Sequence, residues 1–220
     1  MATITTPTFS KLADQLFADN DRTRAAMLRK AEAMTPLQKD AFFGPTAMRR
    51  DFYFQVKDVH LAVSRATANL LYMLAHAMGA TSIVEFGTSF GVSTLYLAAA
   101  LRDNGGGRVI TSEFEPSKVE RAQANFHAAG LADLIDLRAG DALETLATNL
   151  PDKIDLVLLD GAKPLYPRIL GLLDSRIRRG GLVVADNADM CPEYLSYIRN
   201  RANGYLSVPF GEDVELSQKL

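Results

Sequence analysis

From Gly79 onward the chain alternates short apolar, β-branched runs with helical patterns, and this alternation constrains the fold more than any other feature. The runs are "SIVEFG" (82–87), "RVITSEF" (108–114), "IDLRAG" (135–140), "IDLVLLD" (154–160) and "GLVVADN" (181–187). Helical patterns open near Val92, Ser117, Asp141, Leu165 and Glu193. A helix between two strands returns the chain to the end it left, so the strands pair in parallel and helices cover both faces. The chain ends differently: "YLSVPFG" and "DVELSQKL" are separated by a short connection, which predicts an antiparallel hairpin closing one edge.

The first third reads as helix. "FSKLADQLFADNDRTRAAMLRKAEAM" sets Leu12, Phe17, Met27 and Leu28 among charges. "TPLQKDAFF" offers Thr35 as N-cap, Pro36 at the first helical position and Gln38 to complete a capping box. The stretch from Asp58 to Met78 predicts a further helix, with Leu70, Leu71, Leu74 and Ala77 on its apolar face. A length of 220 residues suits one α/β domain carrying a helical extension.

Composition narrows the function classes. A formal net charge of −2 gives no general pull toward nucleic acid or anionic membrane. No eighteen-residue apolar window is present, since "ANLLYMLAHAMGA" is broken by His76, so no membrane span is expected. "MATITTPTFSKLADQLFADN" lacks the basic and apolar regions of a signal peptide, and the single Cys191 cannot form an internal disulfide. A cytoplasmic protein is the expectation. His60, His76 and His127 are scattered and give no zinc set; His76 and His127 read as structural, and His60, ahead of the pre-sheet helix, as structural with a pocket-lining place as the alternative.

On a sheet of this kind ligands gather at the carboxyl ends of the strands. "VEFGTSFGVST" follows the first strand and opens a helix. Gly87 and Gly91 allow tight turns, and Ser93 and Thr94 stand where hydroxyls meet a carboxylate at a helix N-terminus. The G-x-x-x-G spacing differs from the G-x-G-x-x-G of dinucleotide folds. Glu113, at the second strand end, has the position of an acid that accepts both ribose hydroxyls, whereas Glu115 reads as a solvated loop acid. Asp141 reads equally as a helix N-cap, boxed by Glu144, and as a neighbour of an adenine amino group. Asp160, Asp186 and Asn187 end adjacent strands with two carboxylates and one amide, hard oxygen donors suited to Mg²⁺, Ca²⁺ or Mn²⁺. Lys163 stands beside them, and a nearby divalent cation disfavours an ammonium, which suits a base. Ordinary turn chemistry also accounts for Asp-Asn after a strand, and a solvated loop position for the lysine.

The motifs "VEFGTSFGVST", "ITSEFEP", "GDALE", "VLLDGAK" and "GGLVVADNA", in that order and spacing, resemble the cation-dependent class I O-methyltransferases, the family of catechol and caffeoyl-CoA O-methyltransferases, from roughly Asp58 to Leu220. The resemblance implies a Rossmann-like, mostly parallel seven-stranded sheet in a methyltransferase domain over 58–220. It leaves 1–57 as a helical extension that caps the site or builds a homodimer. It implies S-adenosylmethionine (SAM) as methyl donor, with Gly87, Thr88 and Ser93 at its methionine end and Glu85 beneath that loop. Glu113 would bind its ribose, Asp141 and Ala142 would border its adenine, and Val63 would touch it through the backbone. Asp160, Asp186 and Asn187 would hold the cation, with Asp160 also bordering the cofactor. Lys163 would be the base that takes a proton from a vicinal-dihydroxy aromatic acceptor.

Some features depart from the pattern: Gly161 and Ala162 replace bulkier or acidic residues, "SRATA" lacks the usual proline-acid-glutamine run, and Glu212 and Asp213 stand where an aspartate–glycine pair is usual. Arg49 and Arg50 read as solvated charges, with contact to an anionic acceptor as the alternative. Other functions remain open: a nucleotide-dependent oxidoreductase, a metal-independent methyltransferase, and a SAM-binding accessory protein without turnover.

Overall fold

The structure, a computed structural model, describes residues 1–35, 37–38, 54–211 and 213–220. The expectations for Pro36, Arg49, Arg50 and Glu212 lie outside the described residues. Helix α1 (Pro7–Glu32) begins with Thr6 as N-cap and Pro7 in its first turn. Then follow α2 (Arg65–Ala77), β1 (Ser82–Phe86), α3 (Val92–Asp103), β2 (Arg108–Glu113) and α4 (Pro116–Ala128). Strand β3 (Ile135–Ala139), the single turn α5 (Ala142–Thr145), β4 (Ile154–Leu159), α6 (Tyr166–Leu173) and β5 (Ile177–Ala185) continue the alternation. Helix α7 (Pro192–Ile198) leads to the hairpin β6 (Tyr205–Phe210) and β7 (Val214–Lys219).

The sheet has seven strands in the order β3-β2-β1-β4-β5-β7-β6. Strands β1 to β5 pair in parallel, and β7 pairs antiparallel with both β5 and β6. Strand order reverses between β1 and β4, and a ligand crevice opens where neighbouring crossovers leave to opposite faces. The register carries the residues of interest there. The Asp160 amide donates to the Phe86 carbonyl at 2.8 Å, and the Asp186 amide to the Leu159 carbonyl at 2.9 Å. Gly87, Asp160 and Asp186 thus follow directly on three adjacent strands.

Two apolar cores flank the sheet. One gathers α1 to α4, and the other α5 to α7. Helix α1 is part of the first: Phe9, Ala13, Leu16 and Phe17 are buried, and Phe9 meets Tyr96 of α3 edge-on at 5.1 Å between ring centres. Thr35 and Gln38 form the expected capping box, each backbone amide bonding the other's side chain. Among the described residues no helix is long and apolar enough to cross a membrane.

Two boundaries differ from expectation. The helix expected from Asp58 starts only at Arg65, capped by the Ser64 hydroxyl on the Thr67 amide at 3.0 Å. The preceding strap is held by α1 instead: the His60 amide donates to Thr23 Oγ1 (3.1 Å) and the Ala62 amide to Asn20 Oδ1 (3.2 Å). These bonds satisfy the backbone without helical pairing. Strand β5 begins at Ile177, ahead of the expected 181, because Ile177 pairs with Ile154 across an irregularity and Arg178 bonds Asp155 at 2.6 Å.

Gly91 caps α3 in the left-handed region at φ +85°, and a Cβ added there would lie 2.3 Å from the Phe126 ring of α4. Left-handed strain and overpacking combine, so Gly91→Ala is expected to cost about 2–4 kcal/mol in urea unfolding. Loss below about 0.5 kcal/mol would show that this helix junction relaxes freely.

Candidate active site

The loop after β1 rests on a buried carboxyl. Glu85 is 0% exposed in the central strand. It accepts from Ser93 Oγ at 2.6 Å, from Thr111 Oγ1 at 2.6 Å, and from the Thr94 hydroxyl. Thr88 Oγ1 bonds Thr111 Oγ1 at 2.5 Å and extends the network. One acid therefore ties β1, the start of α3 and β2 together under the glycine loop. Burial pushes its pKa up to about 7, against the pull of the three hydroxyls. Ser93 and Thr94 do meet a carboxylate, and it belongs to the chain itself.

Beside this loop lies a cavity of about 420 Å³ at the tips of β1, β2, β3 and β4. Gly87, Glu113, Asp141, Ala142 and Asp160 line it, as do Phe86 and Lys118. Of the sequence-derived cofactor set, Thr88, Ser93 and Glu85 lie beneath the loop, and Val63 faces a neighbouring cavity. Glu113 is oriented by three backbone amides: Ser89 at 2.7 Å, and Phe114 and Glu115 at 2.9 Å each. Ser89 reaches it from a left-handed backbone, φ 50°. Asp141 is the N-cap that one of its two readings expected. It lines the cavity and caps α5 on the Leu143 amide at 2.9 Å. The box with Glu144 does not close, since the Glu144 amide bonds the Asp141 carbonyl.

Glu115 corrects the sequence reading. It is buried and N-caps α4, accepting from the Lys118 amide at 2.9 Å and from the Ser117 hydroxyl. A glutamate is an uncommon N-cap, so nothing in the sequence announced this role.

The second cavity, about 630 Å³, lies between the strand tips and α1. Asp160, Lys163, Asp186 and Asn187 line one side, and Asn20, Arg24 and Met27 of α1 the other. Lys163 Nζ sits 3.0 Å from Asp160 Oδ1, both side chains being about nine-tenths buried. Asp160 and Asp186 are close enough for each carboxyl to act on the other's titration. Burial raises the pKa of each. For Asp186 the Asp160 carboxylate adds to the rise, while Lys163 opposes it for Asp160. Tyr166 holds both strand ends from α6, its hydroxyl 2.8 Å from the carbonyls of Leu159 and Asp186. Asn187 adopts φ 48°, which asparagine tolerates, and its Nδ2 donates to Asp213 Oδ2 at 2.9 Å.

Two buried carboxylates with one lysine to offset them keep a net negative charge, so this donor set fits a hard divalent ion. Among the described residues no three His, Cys, Asp or Glu side chains converge as a metal-binding group. The candidate set is therefore two carboxylates and one amide. Asp160, Gly161 and Leu61 line both cavities, so the two open on opposite sides of one strand tip. The departure at Gly161 has a local reason: a Cβ there would lie 2.4 Å from the Phe86 ring.

The description "O-methyltransferase" belongs to the family model that matches residues 47–192. The chain belongs to this O-methyltransferase family. The catechol O-methyltransferase of Mycobacterium tuberculosis (strain ATCC 25618 / H37Rv) is 36% identical over 127 residues, 58% of this chain. That match spans 57% of the relative's own length. The solved cofactor-bound Rv0187 from MTB is 25% identical, with a TM-score of 0.68 over 83% of this chain and 94% of its own. The O-methyltransferase from Bacillus cereus, solved in complex with SAH, is 21% identical. Its TM-score is 0.63 over 86% of this chain and all of its own, a likeness of fold.

Sequence reasoning missed several residues of this candidate site. Asn20 and Arg24 sit on a helix whose charges read as a solvated face. His60, by contrast, does line the second cavity as one of its two sequence readings had it, and it is buried and stacks on Phe90 of the glycine loop at 3.7 Å. Lys118 lies five residues past the motif acid, and only the helical turn brings it back.

Glu85 sets a pH dependence. Its folded pKa lies above its unfolded value, so the folded state holds the proton longer. The stability linked to it is full below the unfolded value near 4.5 and falls as pH rises toward 7. Wild type should lose about 3 kcal/mol from this group between pH 4.5 and 7. Urea unfolding at pH 5 and pH 8 should show a smaller loss in Glu85→Gln. Equal losses would mean that the buried carboxyl does not titrate in this window.

Proposed function

We propose that the chain transfers a methyl group from SAM to a hydroxyl of a catechol-like or other vicinal-dihydroxy aromatic small molecule, with a divalent cation and Lys163 as base. The observation that carries this reading is the shared strand tip: Asp160 lines both cavities, and Lys163 and Asp186 stand beside it in the second. Family membership and the cofactor-bound state of the solved relative support it.

SAM supplies the methyl as a sulfonium, bound in the cavity lined by Gly87, Glu113, Asp141 and Ala142. Asp160, Asp186 and Asn187 would hold the cation, which lowers the pKa of an acceptor hydroxyl. Lys163 accepts the released proton at Nζ. Asp160, 3.0 Å away, keeps that amine aimed along the strand tip and stabilises it once protonated. Tyr166 fixes the tip carbonyls, so both aspartates keep their places. Alignment of acceptor oxygen and methyl carbon then follows from the relative placement of two cavities on one rigid sheet. Helix α1 walls the acceptor side. The arrangement fits a small-molecule acceptor, and a homodimer and a cytoplasmic location complete the proposal.

Methyl transfer from labelled SAM to a 3,4-dihydroxy aromatic acid is the direct test. Turnover should vanish in EDTA and return with Mg²⁺. Turnover indifferent to EDTA would keep methyl transfer and remove the cation. No turnover of any vicinal diol, together with binding of S-adenosylhomocysteine (SAH), would favour an accessory protein. Lys163→Ala should lower kcat about 10²–10⁴-fold, the range of general-base removal, with SAH affinity within about threefold. Unchanged kcat would take Lys163 out of the mechanism.

A further inference from the structure

Lys118 is a buried cation that the proposed chemistry leaves without a task. Its side chain is 3% exposed and lines the same cavity as Glu113. It stands in the first turn of α4, where the helix dipole disfavours a positive charge. An ammonium has three N–H donors. The described residues give this one a single polar contact, Ser89 Oγ at 3.4 Å, beside the face of the Phe90 ring at 5.4 Å. No carboxylate among them forms an ion pair with it, although Glu113 and Glu115 both act on its charge. Burial lowers its pKa, which marks the charge as costly where it stands. A buried donor with unmade bonds, facing a cavity, points to an acceptor supplied by a ligand.

Glu113 leads to the same place by independent accounting. An ionised carboxylate offers about four lone-pair sites. Three are taken by the amides of Ser89, Phe114 and Glu115. A vicinal diol brings two O–H donors and further lone pairs of its own. Glu113 alone cannot accept both hydroxyls while keeping its backbone bonds, and it offers the diol oxygens no donor. Lys118 and Ser89 are the groups beside it that can: an ammonium to donate and a hydroxyl to do either.

We propose that Lys118 is a second ribose-binding residue, donating from Nζ to a hydroxyl oxygen of the cofactor's ribose while Glu113 accepts from that diol. The inference rests on the SAM reading of this cavity. Lys118 then serves two ends: it completes the diol's hydrogen bonds and keeps a positive charge near the carboxylate that receives the diol. Ser89 links the two, its amide on Glu113 and its hydroxyl near the lysine.

The test is a cycle between protein and ligand. Calorimetric titration of SAH into wild type and Lys118→Met is repeated with 2′-deoxy and 3′-deoxy SAH. For intact SAH the substitution should raise Kd about 10- to 100-fold, the range for a hydrogen bond to a charged group. For one of the two deoxy ligands that penalty should shrink to within about threefold. An equal penalty for all three ligands would reduce Lys118 to a packing role and overturn the proposal, as would no penalty at all. Lys118→Gln, which keeps a donor and much of the length, is read in the same cycle should the methionine variant fail to fold. Failure of the wild type to bind SAH would overturn the cofactor reading and this inference together. Failure of the cycle with SAH bound overturns this inference alone.

Discussion

The site depends on a carboxyl that never meets solvent. Glu85 lies in the central strand with three hydroxyls around it, one from β2 and two from the first turn of α3. A residue this costly to bury is tolerable only when every lone pair finds a donor. In return the loop between β1 and α3 has one conformation, with Ser89 turned left-handed so that its amide reaches Glu113. The position of the motif acid is thus set from below, through the loop, rather than by its own strand alone. Removing Glu85 would orphan three hydroxyls and release the geometry of the whole cofactor side.

The parallel sheet was legible because its signals are local and repeated. Strand interiors such as "VLL" and "GLVV" are apolar without alternation, and turns with Gly, Asp and Asn punctuate them. The strand-end residues were legible for the same reason, since each follows an apolar run directly. What escaped the sequence depends on contacts between segments far apart. The strap at 58–64 reads as helix by periodicity, yet Thr23 and Asn20 of α1 capture its amides. Glu115 looks like a free surface acid until the helix after it is known to start at Pro116. Lys118 enters the cavity only because a helical turn folds back over the loop from which it departs. In each case tertiary context overrides a local preference.

Under the proposed function the two cavities divide the labour between cofactor and acceptor. Their common wall is Asp160, Gly161 and Leu61, supplied by β4 and by the strap. The cofactor side is built almost wholly from strand ends and the loops that follow them. The acceptor side borrows its far wall from α1, which belongs to the same apolar core but comes from the opposite end of the chain. The groups of the proposed reaction therefore sit on the sheet, and on the far wall Arg24 and Met27 can change without loosening the strap that Asn20 holds.

The contact between Phe86 and Gly161 has a historical consequence. The ring fills the space that a side chain at 161 would need, and the two residues end neighbouring strands at the wall between the cavities. Position 161 cannot gain a side chain while the ring stays where it is. A lineage that places any side chain at 161 must first accept a smaller residue at 86, and the reverse path meets the same obstacle in the opposite order. The pair acts as a lock: while the ring keeps its place, a side chain at 161 has no room beside it.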